Sequence, residues 1–392
     1  MEECAAAAAR CVRGAGRMAA WRLHAYGAPH GLRLEAARVP PLRAPDELLV
    51  RVHAASLNPL DVAMIGGYGA RVLNTLRALD GGDGVEFPLV TGRDFVGHVE
   101  RAGAGARLRR GQRVWGVVPP HRAGCHADYV VVKDRWAGEA PSSLGVEAGG
   151  ALFAALSASA ALRAGGLRGL RGARGGGGAG GGGGGGPPRV LLLGLGAVGR
   201  AALQLLVYEG AQVVVGCSGD LCESALSLGA VAAFDRHAAD YDHNVRDAGP
   251  YYAALDCAGV GGAGAGAAGG RRAARYVTLS SPLLRRTDAR GVWCGAVRAA
   301  AELAAHNAGP AHVRWAFFSP APDDVELLRR LAERGQFSVC VERVFPWWEA
   351  HAALQRAAAG SARGKLLLDF SALPPPHAQT TPPTHTHTHA HN

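Results

Sequence analysis

Three glycines set the first chemical expectation. Gly194, Gly196 and Gly199 stand in the run Gly194-Leu195-Gly196-Ala197-Val198-Gly199, a G-x-G-x-x-G spacing. Such a loop suits the pyrophosphate of a dinucleotide, because each glycine has its own task. Gly194 permits a tight turn, Gly196 lets the backbone approach the phosphates without a Cβ in the way, and Gly199 lets a helix pack closely on a strand. The unpaired N–H groups at the start of that helix then face the anion. Without a ligand, the same spacing is a tight strand-to-helix turn.

The elements that would position this loop are legible on both sides of it. Val190 to Leu193 is a short apolar run bounded by Pro187, Pro188 and Gly194, which suits a buried parallel strand. Arg200 to Glu209 is helix-like and closes at Gly210, and Gln212 to Gly216 reads as a second buried strand. Strand, glycine turn, helix and strand together are the context that gives the motif weight. Beyond the second strand, an NAD site places a carboxylate about 20 residues after the glycines, on the ribose 2′-hydroxyl. Here that neighbourhood holds Cys217, Ser218 and Gly219. A serine hydroxyl can donate to a 2′-phosphate that a carboxylate would repel, and Arg236, after a third strand at Val231 to Phe234, can supply positive charge. NADPH is therefore the expected cofactor, with nearby Asp220 as the residue that argues for NADH.

The 392 residues allow two or three domains. No apolar run is long enough to span a bilayer as a helix. The formal charge is +10, and it comes almost wholly from arginine: Lys133 and Lys365 are the only lysines. The arginines are scattered and no nucleic-acid-binding signature accompanies them, so no nucleic-acid partner is expected. Eight cysteines without a C-x-x-C pair argue against a disulfide framework and a cysteine-rich zinc lobe. Residues 1–18, alanine-rich with Arg10, Arg13 and Arg17, read either as a mitochondrial presequence or as a disordered tail.

Leu48 to Ala54 alternates like a strand, and Ser56 to Asp61 turns into a helix with Pro59 and Asp61 in its first turn. Phe87 to Glu100 reads as two strands about a Gly92-Arg93-Asp94 corner. With Arg113 to Val118 and Tyr129 to Val132, these segments suggest a small barrel-like β domain. The helical segment Gly149 to Arg163 leads toward the nucleotide-binding region. The glycine-rich stretch 165–186 is expected to be a flexible loop, and 259–270 is a second glycine-alanine tract. Strands at Arg275 to Leu279, Val313 to Phe318, Cys340 to Val344 and Lys365 to Phe370 are interleaved with helices at Ala299 to His306, Pro322 to Arg334 and Trp347 to Ala359. The last stretch, 372–392, ends in alternating histidines and reads as a disordered tail rather than a metal site.

The phrases VHAASLNPLDV (52–62), GGYGARVLN (66–74), EFPLVTGRDFVGHV (86–99), AVGRAALQ (197–204), YVTLSSP (276–282), VRWAFF (313–318) and SARGKLLL (361–368) resemble the medium-chain dehydrogenase/reductase superfamily in its quinone oxidoreductase branch. The resemblance implies an α/β fold: a GroES-like β-rich catalytic domain at 19–155, an inserted Rossmann domain at 156–311, and a return to the catalytic domain at 312–371. By the same resemblance, Gly196, Ala197, Val198 and Gly199 hold the pyrophosphate and Ser218 meets the 2′-phosphate, with Arg236 near it. Cys257 and Leu279 line the adenosine and ribose path, Ala316 and Phe318 face the nicotinamide, and Ser361, Ala362 and Arg363 form a C-terminal cofactor contact. Asn58, Asp61 and Tyr68 border the substrate, and Ser157 stands where the family has a threonine hydroxyl near the nicotinamide. Simpler readings stay open: Asp61 as a helix cap, Tyr68 and Phe318 as packing, Cys257 as a small buried residue, and Ser157 bonded to its own helix backbone.

The activity so implied is zinc-independent hydride transfer from NADPH to a quinone-like or enone acceptor. Zinc-dependent relatives place Cys and a His-Glu pair where this chain has Asn58 and Arg93-Asp94, and asparagine and arginine are not zinc ligands. The resemblance also implies a mitochondrial location, a part in ubiquinone biosynthesis, and partners among proteins of that pathway and a reticulon. The alternative is a non-catalytic NADPH-binding scaffold for a mitochondrial assembly.

Overall fold

Segments of alternating or continuous apolar residues bury themselves by pairing, and here they pair into two main sheets. The structure is a computed structural model. It describes residue 13 and residues 16–80, 86–170, 186–259, 273, 275–307, 312–360 and 362–373. The first region comprises β1 (Arg17–Leu23), β2 (Arg33–Arg38), β3 (Glu47–Leu57), α1 (Pro59–Ile65), α2 (Ala70–Leu79), β4 (Leu89–Val90), β5 (Asp94–Ala102), β6 (Arg113–Val117), β7 (Tyr129–Lys133) and β8 (Ala137–Glu139). Strands β2, β1 and β4 form a small antiparallel sheet. Strand β3 is central to the larger one: it pairs antiparallel with β5 and, at its first half, with β7. That position explains why nearly every residue of β3 is buried rather than every second one.

The second region opens with α3 (Leu152–Gly165), whose burial on almost every side follows from its place between the two sheets. It continues through β9 (Arg189–Leu193), α4 (Ala197–Glu209), β10 (Gln212–Cys217), α5 (Cys222–Ser227), β11 (Ala232–Asp235), α6 (Tyr241–Asp247), β12 (Ala253–Asp256), β13 (Arg275–Thr278), α7 (Leu283–Arg290), α8 (Val292–Asn307) and β14 (His312–Trp315). Its six strands run parallel in the order β11-β10-β9-β12-β13-β14. This is the doubly wound order, and its switch point lies between the ends of β9 and β12, where such sheets bind dinucleotides.

The chain then returns through α9 (Pro322–Glu333), β15 (Val341–Pro346), α10 (Ala350–Ala358) and β16 (Lys365–Asp369). Strand β16 pairs antiparallel with β3, with Leu366 opposite Leu57, and so joins the last strand to the first sheet and brings Lys365 to Asn58, 307 positions away. Trp21 ties the two ends by donating from its indole to the Trp347 carbonyl at 2.7 Å.

One boundary moves. Arg13 donates to Asp128 at 2.5 Å and lies over the Trp347 ring, and Arg17 and Met18 belong to β1, so the fold begins inside the 1–18 stretch. Residues 1–12 and 14–15, the bulk of the glycine-rich loop (171–185), the second tract (260–272), Ser361 and the tail from 374 lie outside the described residues.

Candidate functional site

Helix α4 begins at the switch point. Gly194 leaves β9 with φ +91°, and a Cβ there would stand 2.9 Å from the Ala258 nitrogen. At Gly199 a Cβ would meet the Gly194 carbonyl oxygen at 2.1 Å, so helix and strand approach as only glycine permits. Gly196 differs: a Cβ there would meet nothing within 4 Å, and the residue is exposed at the N-cap of α4. An open cradle at the positive end of a thirteen-residue helix fits a pyrophosphate. Ala197 and Val198 stand half-buried at its lip. The cradle faces the return strand: Ala197 and Arg200 line a narrow crevice with Gly150, Gly364 and Lys365.

The neighbouring strand ends converge on Ser218. It follows β10 half-buried, and the backbone N–H of Arg236 donates to the Cys217 carbonyl at 2.8 Å, which sets exposed Arg236 beside it. Asp220, the residue that argued for NADH, is paired with Arg363 at 3.0 Å. Arg363 therefore brings the C-terminal segment to the Ser218 loop, with Ala362 half-buried next to it. Asp235 is a second carboxylate here; it accepts the His237 N–H at 3.0 Å. On the other side of the crevice the Cys257 N–H donates to Leu193 O, and burial pushes its thiol up, with Asp256 adding to the effect. Asp256 itself accepts from Thr278 Oγ1 at 2.7 Å and from the Ala258 and Gly259 N–H groups, which fixes the end of β12. Leu279 and Ala316 follow β13 and β14, and the Phe318 ring lies 4.5 Å from that of Phe153 on α3.

The substrate-side residues are held by a sealed floor. Asn58 caps α1 in a capping box: Asp61 Oδ2 accepts the Asn58 N–H at 2.8 Å. Asp61 Oδ1 accepts the Gly92 N–H at 2.7 Å and lies 3.4 Å from Arg93 Nε, and both side chains are fully buried. Arg93 also donates to the carbonyls of Val90, Pro119 and Arg122. Beside this pair, Asn58 Nδ2 donates to Asp94 Oδ1 at 3.0 Å and to Ser56 Oγ at 3.1 Å, and Ser56 donates to Asp94. Asn58 Oδ1 accepts from Lys365 Nζ at 2.8 Å, with Asp94 Oδ2 3.7 Å from the same ammonium. Asp94 Oδ2 also accepts the Phe153 N–H at 3.1 Å.

The amide of Asn58 and the carboxylate of Asp61 are thus engaged within the protein. Ser157 donates to Phe153 O at 2.7 Å, the in-helix bond of its simpler reading. Tyr68 stands half-buried after α1, and burial raises its phenol, with Asp288 adding and Arg285 opposing.

Lys365 was not singled out from sequence, although a signal existed. In a chain whose other basic residues but one are arginine, Lys365 stands out by residue type alone, and the structure buries it. A Cβ at Gly150 would lie 3.0 Å from Lys365 Cε, so the fit is close. A cavity of about 490 Å³ lies away from this site, between Met18, Arg77, Arg122 and Lys133. Its cations are matched by Glu47, Asp80 and Glu86, so it reads as an ion-pair cluster rather than the reaction site.

Comparisons with known proteins agree with this architecture. The model of the alcohol dehydrogenase GroES-like domain matches residues 44–142, and that of the zinc-binding dehydrogenase family matches residues 228–368. The mitochondrial NAD(P)H oxidoreductase RTN4IP1 of Drosophila melanogaster is 38% identical over 366 residues, covering 91% of this chain and 87% of that one. Its Homo sapiens counterpart is 32% identical, covering 90% and 89%. The mitochondrial reticulon-4-interacting protein 1 of Caenorhabditis elegans is 30% identical, covering 87% and 92%. Among solved structures, a quinone oxidoreductase from Coxiella burnetii superposes with a TM-score of 0.67 at 22% identity, over 90% of this chain and 99% of that one, a likeness of fold.

Proposed function

The chain belongs to the medium-chain dehydrogenase/reductase superfamily, among relatives of the mitochondrial NAD(P)H oxidoreductases, and from that premise we propose that it reduces a quinone-like or enone acceptor in ubiquinone biosynthesis. It is an NADPH-using oxidoreductase of the mitochondrion. The observation that carries the proposal is the Ser218 loop. Arg363 neutralises Asp220, one of the two carboxylates near Ser218, Asp235 is engaged by the His237 N–H, and Arg236 stands beside the serine. When bound, NADPH supplies the hydride. The residues of this chain bind and orient it: the open cradle at Gly196 takes the pyrophosphate, and Ser218 and Arg236 take the 2′-phosphate. Phe318 and Phe153 wall the nicotinamide end and keep water out. The floor of Asn58, Asp94 and Lys365 holds α3 in place through Phe153 rather than giving a proton to the acceptor. A quinone suits such a site, since the hydroquinone anion formed by hydride transfer can take its proton from solvent at the open, substrate-side edge or on release.

A screen of NADPH oxidation over short-chain quinones and enones tests the proposal. Turnover of one of these classes is expected. Tight NADPH binding with no oxidation across the panel would leave the scaffold reading instead. The name of the Caenorhabditis elegans relative supports reticulon-4 as a protein partner, and pull-down with the purified chain tests that separately.

A further inference from the structure

Helices α7 and α8 form a hairpin about Gly291, which takes φ +85°. They pack tightly, since a Cβ at Gly295 would meet the Thr287 Cα at 2.4 Å, and Arg286 and Glu302 pair across them at 3.1 Å. Packing buries Gly295 and Ala299 on one side of α8. The opposite side carries Trp293, 85% exposed, and Val297, 69% exposed, with Ala300, Ala301 and Ala304 continuing the stripe at helical spacing. A tryptophan so far out of the core is unusual, because its large apolar surface is ordinarily covered.

The charges around the stripe have one sign. Arg285, Arg290 and Arg298 are exposed, while the hairpin's acids are engaged: Glu302 with Arg286, and Asp288 with the Gly69 and Arg71 N–H groups at 2.6 and 3.2 Å. An apolar stripe with a tryptophan, rimmed by arginines, matches the interface of a membrane whose headgroups are anionic. We propose that this face of α8 docks the protein on an anionic phospholipid surface. A second copy of the chain is the weaker fit, since two such faces would oppose positive charge to positive charge. A nucleic acid would use the arginines but leave Val297 and the alanines without a partner.

The hairpin sits where docking would matter. Asp288 holds the backbone just after Tyr68, and Leu284 packs on Gly69, so α7, the partner of the lipid-facing helix in the hairpin, adjoins the substrate-side edge. A lipid-soluble acceptor would then reach that edge from the bilayer; this last step rests on the acceptor class proposed above.

Flotation of the full chain with vesicles tests the proposal, using phosphatidylcholine alone and phosphatidylcholine with about a quarter phosphatidylglycerol. Binding to the anionic vesicles is expected to exceed binding to the neutral ones at least about tenfold and to fall with added salt. Arg290→Gln and Arg298→Gln should each weaken it about fivefold, and Trp293→Ser about tenfold, with NADPH affinity unchanged in all three. Equal binding to both vesicles, no binding to either, or a protein dimer that Trp293→Ser dissociates would overturn the proposal, as would preference for a polynucleotide over the vesicles. Flotation without turnover of any soluble quinone would leave the docking face standing and remove the acceptor reading. Turnover without flotation would do the reverse.

Discussion

The floor beneath Asn58 and the cradle around Gly196 are built on opposite plans. In the floor, Asp61, Arg93, Asp94 and Lys365 are buried and matched by charge and by hydrogen bonds. In the cradle, Gly196 faces open space, and Ser218, Arg236, Asp220 and Arg363 lie at least partly in solvent. A buried charge that loses its partner stays unsolvated, whereas an exposed one turns to water. Substitutions in the floor should therefore act on stability, and those in the cradle on affinity.

The sharpest way to break that division is at Arg93. Arg93→Met removes the cation beside Asp61 and three hydrogen bonds to carbonyls, of which those to Val90 and Pro119 are buried. A loss of about 3–5 kcal/mol in unfolding free energy is expected from urea titration. NADPH affinity of the folded fraction should hardly change. Unchanged stability with weakened NADPH would place Arg93 in the binding machinery and erase the distinction.

Lys365 tests the floor at its border with the crevice. Lys365→Met leaves Asp94 without its cation, and Asp94→Asn leaves the ammonium without its anion. Each is expected to cost about 2 kcal/mol, and the double variant about 1 kcal/mol less than their sum, because the two act as a unit. Strict additivity would show that the 3.7 Å separation carries no coupling.

For the cradle, Ser218→Asp puts a carboxylate where the 2′-phosphate is expected. Loss of a charge-assisted hydrogen bond of roughly 1.5–3 kcal/mol implies at least about a tenfold shift in preference toward NADH. Arg236→Ala should weaken NADPH and leave NADH nearly untouched. Stability should stay constant in both. Fluorescence titration of each cofactor checks this, and an unchanged preference would show that the 2′-phosphate is not read at Ser218.

The two regions also differed in how legible they were. The cradle is written in contiguous residues: an apolar run, glycines at fixed spacing and a helix, so strand, loop and helix could be read in sequence. The capping role of Asp61 was equally local, three residues from Asn58. The partners that seal the floor were not, because Lys365 and Asn58 lie 307 positions apart and only strand pairing brings them together. Helix α7 escaped notice for another reason: LLRRTDAR has no apolar repeat, and its place is set by packing on α8 and by Asp288.

The smallest expected effect is a dependence on pH, to which the floor contributes and the cradle does not. His126 is fully buried there, between Thr91 Oγ1 at 2.9 Å from Nδ1 and Ser56 O at 3.0 Å from Nε2. The Ser56 carbonyl can only accept, so Nε2 carries the proton and Nδ1 accepts from the threonine hydroxyl. The neutral ring satisfies both neighbours. Burial lowers its pKa, and nearby Arg93 lowers it too, against the opposing pull of Asp61, the Ser56 carbonyl and Asp94. Its folded pKa is therefore below the unfolded value of about 6.5. The unfolded chain then takes up the proton first, so the stability this histidine confers is present above that pH and is lost as pH falls below it. The loss is at most about 1.4 kcal/mol per pH unit. His53 and His121 are lowered in the same way, so the wild-type slope is shared and the difference between proteins is what reports on His126. His126→Gln should flatten the fall in urea midpoint between neutral and mildly acidic pH, at some cost in stability at neutral pH. Cradle variants such as Arg236→Ala should keep the wild-type slope. Parallel slopes for His126→Gln and wild type would mean that the acid sensitivity arises outside the floor.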